Sequence, residues 1–184
     1  AGQVVEQKDV LDIYSAGRFG FSGDIPVMSV GNADYFSVYF SGGDDPDEDL
    51  YASKSSTDEA HTGKRSLKYS LSASVAQEID TCIRTYPGLE YYISLWMAVP
   101  AETSYTLAGD GLGVRARFLD RDKAAVNSSI LLYPDGPIVE GWQRVRGVVT
   151  AGGSDYAGGY LILDVESDVT KTVYLDDIRA MPDE

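Results

Sequence analysis

The sequence has very little of what most catalytic and zinc sites require. One histidine, His61, and one cysteine, Cys82, occur among its 184 residues. They cannot complete a zinc ligand set, and the chain has neither a Gly-x-Ser-x-Gly nucleophile motif nor a Cys–His arrangement with a third partner. We therefore predict a protein that is not an enzyme. A lone cysteine also cannot form an internal disulfide, so cysteine usage does not identify the compartment.

Positive charge is scarce as well. Lys and Arg total 15 against 29 Asp and Glu, which gives a net charge of −14. Nucleic-acid binding needs clustered Lys and Arg, so we predict no nucleic-acid partner. The sequence has no run of about 18 apolar residues, which predicts no membrane insertion. The excess of carboxylates leaves oxygen ligands for hard cations such as calcium.

The chain begins Ala-Gly-Gln, without an initiator Met and without a signal peptide. A processed, secreted protein begins in this way, and so does a trimmed one. Glycine and tyrosine are abundant, as in extracellular β proteins, with 19 and 13 residues. We expect a secreted protein, extracellular or at the cell surface. The Asn-Ser-Ser pattern at 127–129 is a glycosylation acceptor, which would place a glycan on Asn127.

Apolar and polar residues alternate over much of the chain. In the segment 91–99, Tyr91, Ile93, Leu95, Met97 and Val99 take one face. Such alternation predicts strands with one buried face, and turn-forming clusters separate the strands at the spacing of a sandwich. We predict an all-β fold, a jelly-roll β-sandwich of two antiparallel sheets that forms a single domain over 1–184. The other alternating segments are 66–71, 113–120, 142–150, 160–166 and 172–178, and the turn clusters include 61–63, 86–88 and 133–136.

The N-terminal third of the chain does not share this pattern. Residues 35–40, YFSVYF, are a β-prone aromatic run, and 8–14, KDVLDIY, predict either a helical turn or a strand. Residues 42–49, GGDDPDED, are strongly acidic. They read as a solvated surface loop or as a calcium loop, although they lack the Gly and Glu positions of an EF-hand.

Four segments resemble, in the same order, the jelly-roll carbohydrate-binding modules of the galactose-binding-domain-like type. Such modules are found beside xylanases and other polysaccharide enzymes. The resemblance covers roughly residues 58–180 and leaves 1–57 as an N-terminal extension with strands outside the match. It implies the jelly roll but not the ligand, because this fold hosts many functions. The segments are HTGKRSLKYS (61–70), YYISLWMAV (91–99), GWQRVRGVVTA (141–151) and YLILDVES with KTVYLDDIRA (160–180).

The resemblance also implies a structural calcium ion. In such modules, backbone carbonyls of the turn before a strand hold calcium together with an Asp near the C-terminus. Carried over to this chain, the ligands would be the carbonyl of Gly63 or Lys64 and the carboxylate of Asp176 or Asp177. Calcium bound there would join a chain end to a distant turn.

A further acidic calcium ligand is expected from the N-terminal region, which here does not match the family. The candidates are Glu6, Asp9 and Asp12. His61 is then not a ligand but a turn residue, partly buried and hydrogen-bonded.

One set of aromatic and arginine residues lies opposite the predicted core faces of the strands. Aromatic rings stack on sugar rings, and arginines can hold hydroxyls or uronate carboxylates, so the set predicts a carbohydrate or partner face. In the alternative interpretation, Tyr92 and Trp96 pack beneath a loop or the N-terminal segment, while the arginines pair with Asp164 and Glu166 across strands. Trp142, at the start of a strand, is predicted to be structural. The members of the set are Tyr92, Trp96, Arg115, Arg117, Arg144 and Arg146.

Two functions fit these features, and we favour the first by a small margin. The first is a self-assembling extracellular structural or filament subunit, stabilised by calcium, whose N-terminal strand adds to the sheet edge of another copy. The alternative is a carbohydrate-binding module that recognises a polysaccharide. An adhesin or receptor-binding domain would share the same fold.

Overall fold

The structure is a computed structural model that describes residues 3–48, 51–100, 111–126, 129–152 and 156–183. Asn127 lies outside the described residues, as does the side chain of Cys82. Strands dominate this part of the chain: β1 (Glu6–Lys8), β2 (Tyr14–Gly20), β3 (Ile25–Gly31), a 3-10 helix (Tyr35–Ser37), β4 (Tyr39–Ser41), α1 (Tyr51–Lys54), β5 (Ser55–Ser56), β6 (Ser66–Leu71), β7 (Gln77–Thr85), β8 (Glu90–Ala98), β9 (Gly113–Asp120), β10 (Ile130–Leu131), β11 (Tyr133–Val139), β12 (Trp142–Thr150), β13 (Gly159–Glu166) and β14 (Lys171–Pro182).

Two antiparallel sheets form the sandwich. The large sheet has the order β11-β12-β8-β14-β6-β5, with β4 also paired to β14, and the small sheet has the order β10-β9-β13-β7. One hydrophobic cluster contains residues of both sheets, such as Leu95 of β8 and Leu163 of β13, so the two sheets pack face to face. The predicted all-β jelly-roll sandwich is confirmed. No helix in the described ranges is long and apolar enough to cross a membrane.

The alternation in the sequence correctly predicts which side chains form the core. On β8, Tyr91, Ile93, Leu95 and Met97 are fully buried, whereas Tyr92 on the other face is only half-buried. Burying a side chain of this size stabilises the fold by about 1.5–3 kcal/mol. The predicted inward faces of β6, β9, β13 and β14 are buried in the same way. The period of the pattern therefore identified the core correctly.

A third sheet, which we call the N-terminal sheet, was not predicted. It has the order β1-β2-β3, so the segment 8–14 is the end of one strand, a turn and the start of the next. Its small hydrophobic cluster includes Ala16 and Val38 and packs against Met181 of β14. The sheet therefore lies against one end of the sandwich. β4 and β5 also precede residue 58, yet they already pair with the large sheet.

Two local expectations were wrong. The β-prone run 35–40 begins with the 3-10 helix, because the Asp34 carboxylate caps it by accepting a hydrogen bond from the Phe36 amide at 2.9 Å. The turn cluster 133–136 lies within β11, whose pairing with β12 shifts register between Asp135 and Val139. An edge strand with a bulge tolerates Pro and Gly, so this cluster does not end the strand.

Candidate binding surfaces

The predicted aspartates lie at an irregularity in β14. This strand pairs with β6 up to Leu175 and with β4 from Ile178, and its register with β8 shifts at the same point. Asp177 adopts φ +49, a left-handed conformation that Asp tolerates better than most residues. Asp176 and Asp177 therefore occupy a gap between two partner strands, and the turn before β6 meets them there.

Asp176 holds this turn through backbone hydrogen bonds. Its Oδ2 accepts the amides of His61 at 2.8 Å and Thr62 at 3.1 Å, and its Oδ1 accepts the amide of Asp177 at 2.7 Å. The carboxyl group is fully buried. Desolvation raises the pKa of Asp176 to about 6, against the lowering effect of the amide donors.

Asp177 holds the side chains of the same turn. Its carboxylate contacts Nδ1 of His61 at 2.9 Å and accepts a hydrogen bond from Oγ1 of Thr62 at 3.0 Å. The His61 ring stacks on Trp96 with centroids 4.0 Å apart, and Trp142 meets it edge-on at 5.7 Å. His61 is thus a partly buried, hydrogen-bonded turn residue, as predicted, and the buried Trp142 is structural.

Gly63 and Lys64 are held by a different carboxylate. The Lys64 amide donates to Oδ1 of Asp44 at 3.1 Å, and a Cβ on Gly63, which has φ +66, would overlap the Asp44 carboxylate. His61 and Thr62 therefore hydrogen-bond to Asp176 and Asp177, whereas Lys64 hydrogen-bonds to Asp44. The role of Gly63, Lys64, Asp176 and Asp177 as calcium ligands stays a prediction.

The oxygens of Asp176 and Asp177 accept hydrogen bonds from the turn before β6. Across the described ranges, no three or more His, Cys, Asp or Glu side chains are grouped to hold a metal ion. Calcium binding by this chain stays a prediction.

The N-terminal calcium candidates are engaged elsewhere. Glu6 accepts a hydrogen bond from the Tyr35 amide at 2.8 Å. Asp9 accepts the amides of its own turn, and Asp12 forms an ion pair with Lys8 at 3.0 Å. These carboxylates stabilise the β1–β2 hairpin and its contact with the 3-10 helix.

The acidic loop at 42–48, which we call the acidic clip, binds two neighbouring turns through hydrogen bonds. Asp45 accepts the amide of Phe21 at 2.9 Å, and Asp47 accepts both the amide and the hydroxyl of Ser22. Phe21 and Ser22 form the tight turn between β2 and β3, where φ is positive at both residues. Because Asp44 binds the turn before β6, this loop connects the N-terminal sheet to the sandwich.

The six predicted face residues do not form one surface, which corrects the prediction of a single face. Tyr92 and Trp96 on β8 and Arg144 and Arg146 on β12 belong to the large sheet, whereas the other two arginines lie on β9 in the small sheet. Alternation along a strand reveals which residues leave the core, but not which of the two sheets carries them. Trp96 is covered by the His61 ring, as the alternative interpretation expected.

On the small sheet, the arginines are paired with carboxylates of neighbouring strands. Arg115 forms an ion pair with Glu166, and Arg117 pairs with both Asp164 and Glu78. The hydrogen bond to Asp164 is the main cause that raises the pKa of Arg117. These cross-strand pairs confirm the predicted partners Asp164 and Glu166, and they satisfy the guanidinium groups within the sheet.

On the large sheet, a shallow groove of 240 Å³ runs beside β11 and β12. Its lining includes Tyr92, Tyr133, Asp135 and Arg146. Tyr133 is 66% exposed, and its partner across the strands is Arg146. We call this the sheet groove. Tyr133 and Asp135 were missed at the sequence level, because the Pro-Asp-Gly cluster reads as a turn rather than a strand.

Asp135 pairs with the two arginines at the sheet groove. It forms ion pairs with Arg144 and with Nε of Arg146, the latter at 3.0 Å. The hydrogen bond from Arg144 is the main cause that lowers the pKa of Asp135. One carboxylate shared by two guanidinium groups leaves a net positive charge and further N–H donors at the groove.

Comparison with known proteins gives structural likeness only. No protein-family model and no curated protein matches the sequence. One similar solved structure contains the CBM22-1–GH10 modules of the Clostridium thermocellum endo-1,4-β-D-xylanase 10B complexed with xylohexaose. The two chains are 13% identical with a TM-score of 0.49, and the match covers 80% of this chain and 25% of that chain. A second is the CBM22-1 xylan-binding domain of Paenibacillus barcinonensis Xyn10C, which is 17% identical with a TM-score of 0.44, over 79% of this chain and 81% of that chain. A third is TmCBM61 in complex with β-1,4-galactotriose, which is 14% identical with a TM-score of 0.41, over 79% of this chain and 88% of that chain.

At these identities and TM-scores the likeness carries no argument about function. The chain spans only a quarter of the length of the xylanase structure. The fold is established by the strand pairing described above, and any ligand has to be argued from the surfaces of this chain.

Proposed function

We propose that this protein is a non-catalytic carbohydrate-binding β-sandwich that holds a polysaccharide in the sheet groove. The observation that carries the proposal is the combination of the exposed Tyr133 ring, the half-buried Tyr92 ring and the ion-paired Arg146 in one shallow groove. A long polymer needs an open groove rather than a closed cavity. A polysaccharide ligand also fits the extracellular location expected from the composition.

The physical properties of these groups suit a sugar ring. A tyrosine ring offers a flat apolar surface and loses little conformational entropy on binding, since it has few rotatable bonds. Arg146 is held through Nε by Asp135 at 3.0 Å, so its position is set before a ligand arrives. Its other N–H groups can donate to hydroxyls, and the net positive charge accepts a uronate as well as a neutral sugar.

The test is affinity electrophoresis of the full chain in gels containing soluble xylan, galactan or polygalacturonate. We expect retardation by at least one polymer, and about tenfold weaker binding for Tyr133→Ala, since one aromatic contact contributes roughly 0.5–1.5 kcal/mol. Tyr133→Phe keeps the ring and should keep the binding.

The matched control is Val139→Ala, which truncates another exposed side chain of β11 outside the groove. It should bind as the unmodified chain does. If none of the three polymers retards the protein, or if Tyr133→Ala binds as well as Val139→Ala, the sheet groove is not the polysaccharide site.

A second candidate function is self-association, which one observation favours. The N-terminal sheet leaves large apolar side chains in solvent, among them Val10 at 98%, Leu11 at 75% and Ile25 at 49% exposure. Within the described chain no strand pairs with the outer edge of β3. An open edge and exposed apolar side chains are the features through which sheets add strands from other copies. In this structure the N-terminal strand β1 pairs with β2 of its own chain.

Negative-stain electron microscopy tests this candidate, with millimolar calcium and then with a chelator. Calcium-stabilised assembly predicts regular polymers that dissolve on chelation and fail to form when residues 1–14 are deleted. Isolated particles under both conditions would exclude assembly and leave carbohydrate binding as the remaining candidate.

A further inference from the structure

A second cleft lies where the N-terminal sheet meets the end of the sandwich. It encloses 560 Å³, and we call it the junction cleft. Its walls come from the start of β2, from the loop and 3-10 helix at 32–37, and from the turn that follows β7. Three aromatic side chains line it and remain exposed, Tyr14 at 37%, Phe36 at 53% and Tyr86 at 37%.

Polar contacts support two of these aromatic residues. The Arg84 guanidinium carbon lies 4.7 Å from the centroid of the Phe36 ring. The Tyr86 amide donates to the hydroxyl of Tyr91 in the core at 2.9 Å. Burial is the main cause that raises the pKa of Tyr86. Arg84 thus holds the Phe36 ring, and the Tyr91 hydroxyl fixes the backbone at Tyr86.

The charges around the junction cleft differ from those of the sheet groove. Its lining includes Glu6, Asp12 and Asp34 against Arg84, and Lys8, which pairs with Asp12, lies 5.1 Å from the centroid of the Tyr14 ring. These groups leave an excess of one negative charge. A uronate carboxylate would be repelled by this excess of negative charge, whereas a neutral sugar meets no such penalty. The sheet groove, with two arginines on one aspartate, has the opposite balance.

We propose that the junction cleft is a second carbohydrate-binding site, selective for neutral over acidic sugar rings. Three aromatic rings supply the apolar faces, and Arg84 and Asp34 supply the few polar groups that orient a ligand. The proposal shares the class of ligand with the sheet groove but goes beyond it in place and in selectivity.

The proposed site is built from both parts of the chain. Tyr14 and Phe36 lie before residue 58, and Tyr86 lies in the sandwich. Neither part has the cleft alone. The N-terminal sheet therefore completes a ligand site in addition to covering one end of the large sheet.

The test is a titration of the full ¹⁵N-labelled chain with xylohexaose, and in parallel with a hexamer of galacturonic acid. We expect xylohexaose to shift the amide resonances of Phe36 and Tyr86, and the acidic hexamer to shift them far less. Phe36→Ala should weaken the xylohexaose binding monitored at Tyr86 about tenfold. Phe36→Tyr should restore it, and Val75→Ala, an exposed residue on the β6–β7 turn, should leave it unchanged.

The outcomes separate the two proposals. Shifts at Tyr92 and Tyr133 without shifts at Phe36 and Tyr86 would overturn the junction cleft and leave the sheet groove standing. Shifts confined to Phe36 and Tyr86 would support the junction cleft, and the polymer gels would then decide the sheet groove. No shift at any of the four with either hexamer overturns the junction cleft, while the polymer gels still decide the sheet groove. The shift map uses the unmodified chain, so a folding defect in Phe36→Ala does not affect it.

Discussion

The sandwich and the N-terminal sheet are both antiparallel, yet they are held by different forces. The sandwich buries a continuous apolar core, in which Phe118 and Leu163 are wholly inaccessible. The N-terminal sheet has a small apolar cluster and leaves side chains such as Val10 and Leu11 in solvent. Its cluster packs against Met181 of β14, and polar contacts such as that of Asp45 with the Phe21 amide add to the attachment. A large apolar core thus stabilises the sandwich, whereas a small apolar contact and a few hydrogen bonds hold the N-terminal sheet.

The largest expected effect comes from the sandwich core. Phe118→Ala removes a ring that packs edge-on against Tyr91 and Tyr156, with centroids 6.4 and 6.3 Å away. We expect the free energy of unfolding to fall by about 3–5 kcal/mol. Ile25→Ala, which truncates a half-exposed residue of the N-terminal sheet, should cost less than about 1 kcal/mol. Urea denaturation of both variants measures the contrast, and similar losses would contradict it.

The next effect is a pH dependence from Asp176. Its pKa is about 6 in the folded chain, against 3.8 for an aspartate in water, so the folded state holds this proton more tightly than the unfolded chain does. The contribution of this group to stability is therefore complete below about pH 4 and is lost as the pH rises through 6, by on the order of 2–3 kcal/mol. Asp176→Asn cannot titrate, so the stability of the unmodified chain relative to Asp176→Asn should fall between about pH 4 and 6.5.

Urea denaturation at each pH, with a chelator present, measures this difference. Asp183→Asn, at an exposed position beyond β14, is the matched control and should leave the slope unchanged. A pH-independent difference between the unmodified chain and Asp176→Asn would show that the Asp176 carboxyl is not desolvated as described.

A smaller and local effect is expected at the acidic clip. Asp45→Ala removes the acceptor for the Phe21 amide and should speed its hydrogen exchange about tenfold, with less than about 1 kcal/mol lost from global stability. Asp24→Ala, in the same hairpin turn, removes an exposed carboxylate for which the described structure shows no hydrogen bond. Equal exchange of the Phe21 amide in the two variants would mean that the clip does not hold the sheet.

The smallest effect is expected at Ser41, where β4 joins the large sheet. Its buried hydroxyl has no hydrogen-bond partner among the residues described. Ser41→Ala removes a desolvated polar group and should change thermal stability by less than about 1 kcal/mol, in the stabilising direction. The measurement is repeated with calcium and with a chelator. A destabilisation seen only with calcium would place the ion beside Ser41 and reverse the expected sign.

The sandwich was predictable from the sequence because its signal is local. Alternation from Tyr91 to Val99 predicts a strand and its buried face without knowledge of any partner. The sheet groove was only half predictable: Tyr92 and Arg146 follow from strand alternation, whereas Tyr133 lies in a segment whose Pro and Gly resemble a turn. The junction cleft left no local signal, since Phe36 and Tyr86 come together only through tertiary packing.

The stacking of His61 on Trp96, with Trp142 edge-on, has an optical consequence. These are the two tryptophans of the chain, and both lie against one imidazole ring. The indole emission of the whole protein therefore originates at a single spot, where the turn before β6 docks on β14. The emission spectrum should report that docking without any added label, and it should not change when the N-terminal sheet detaches.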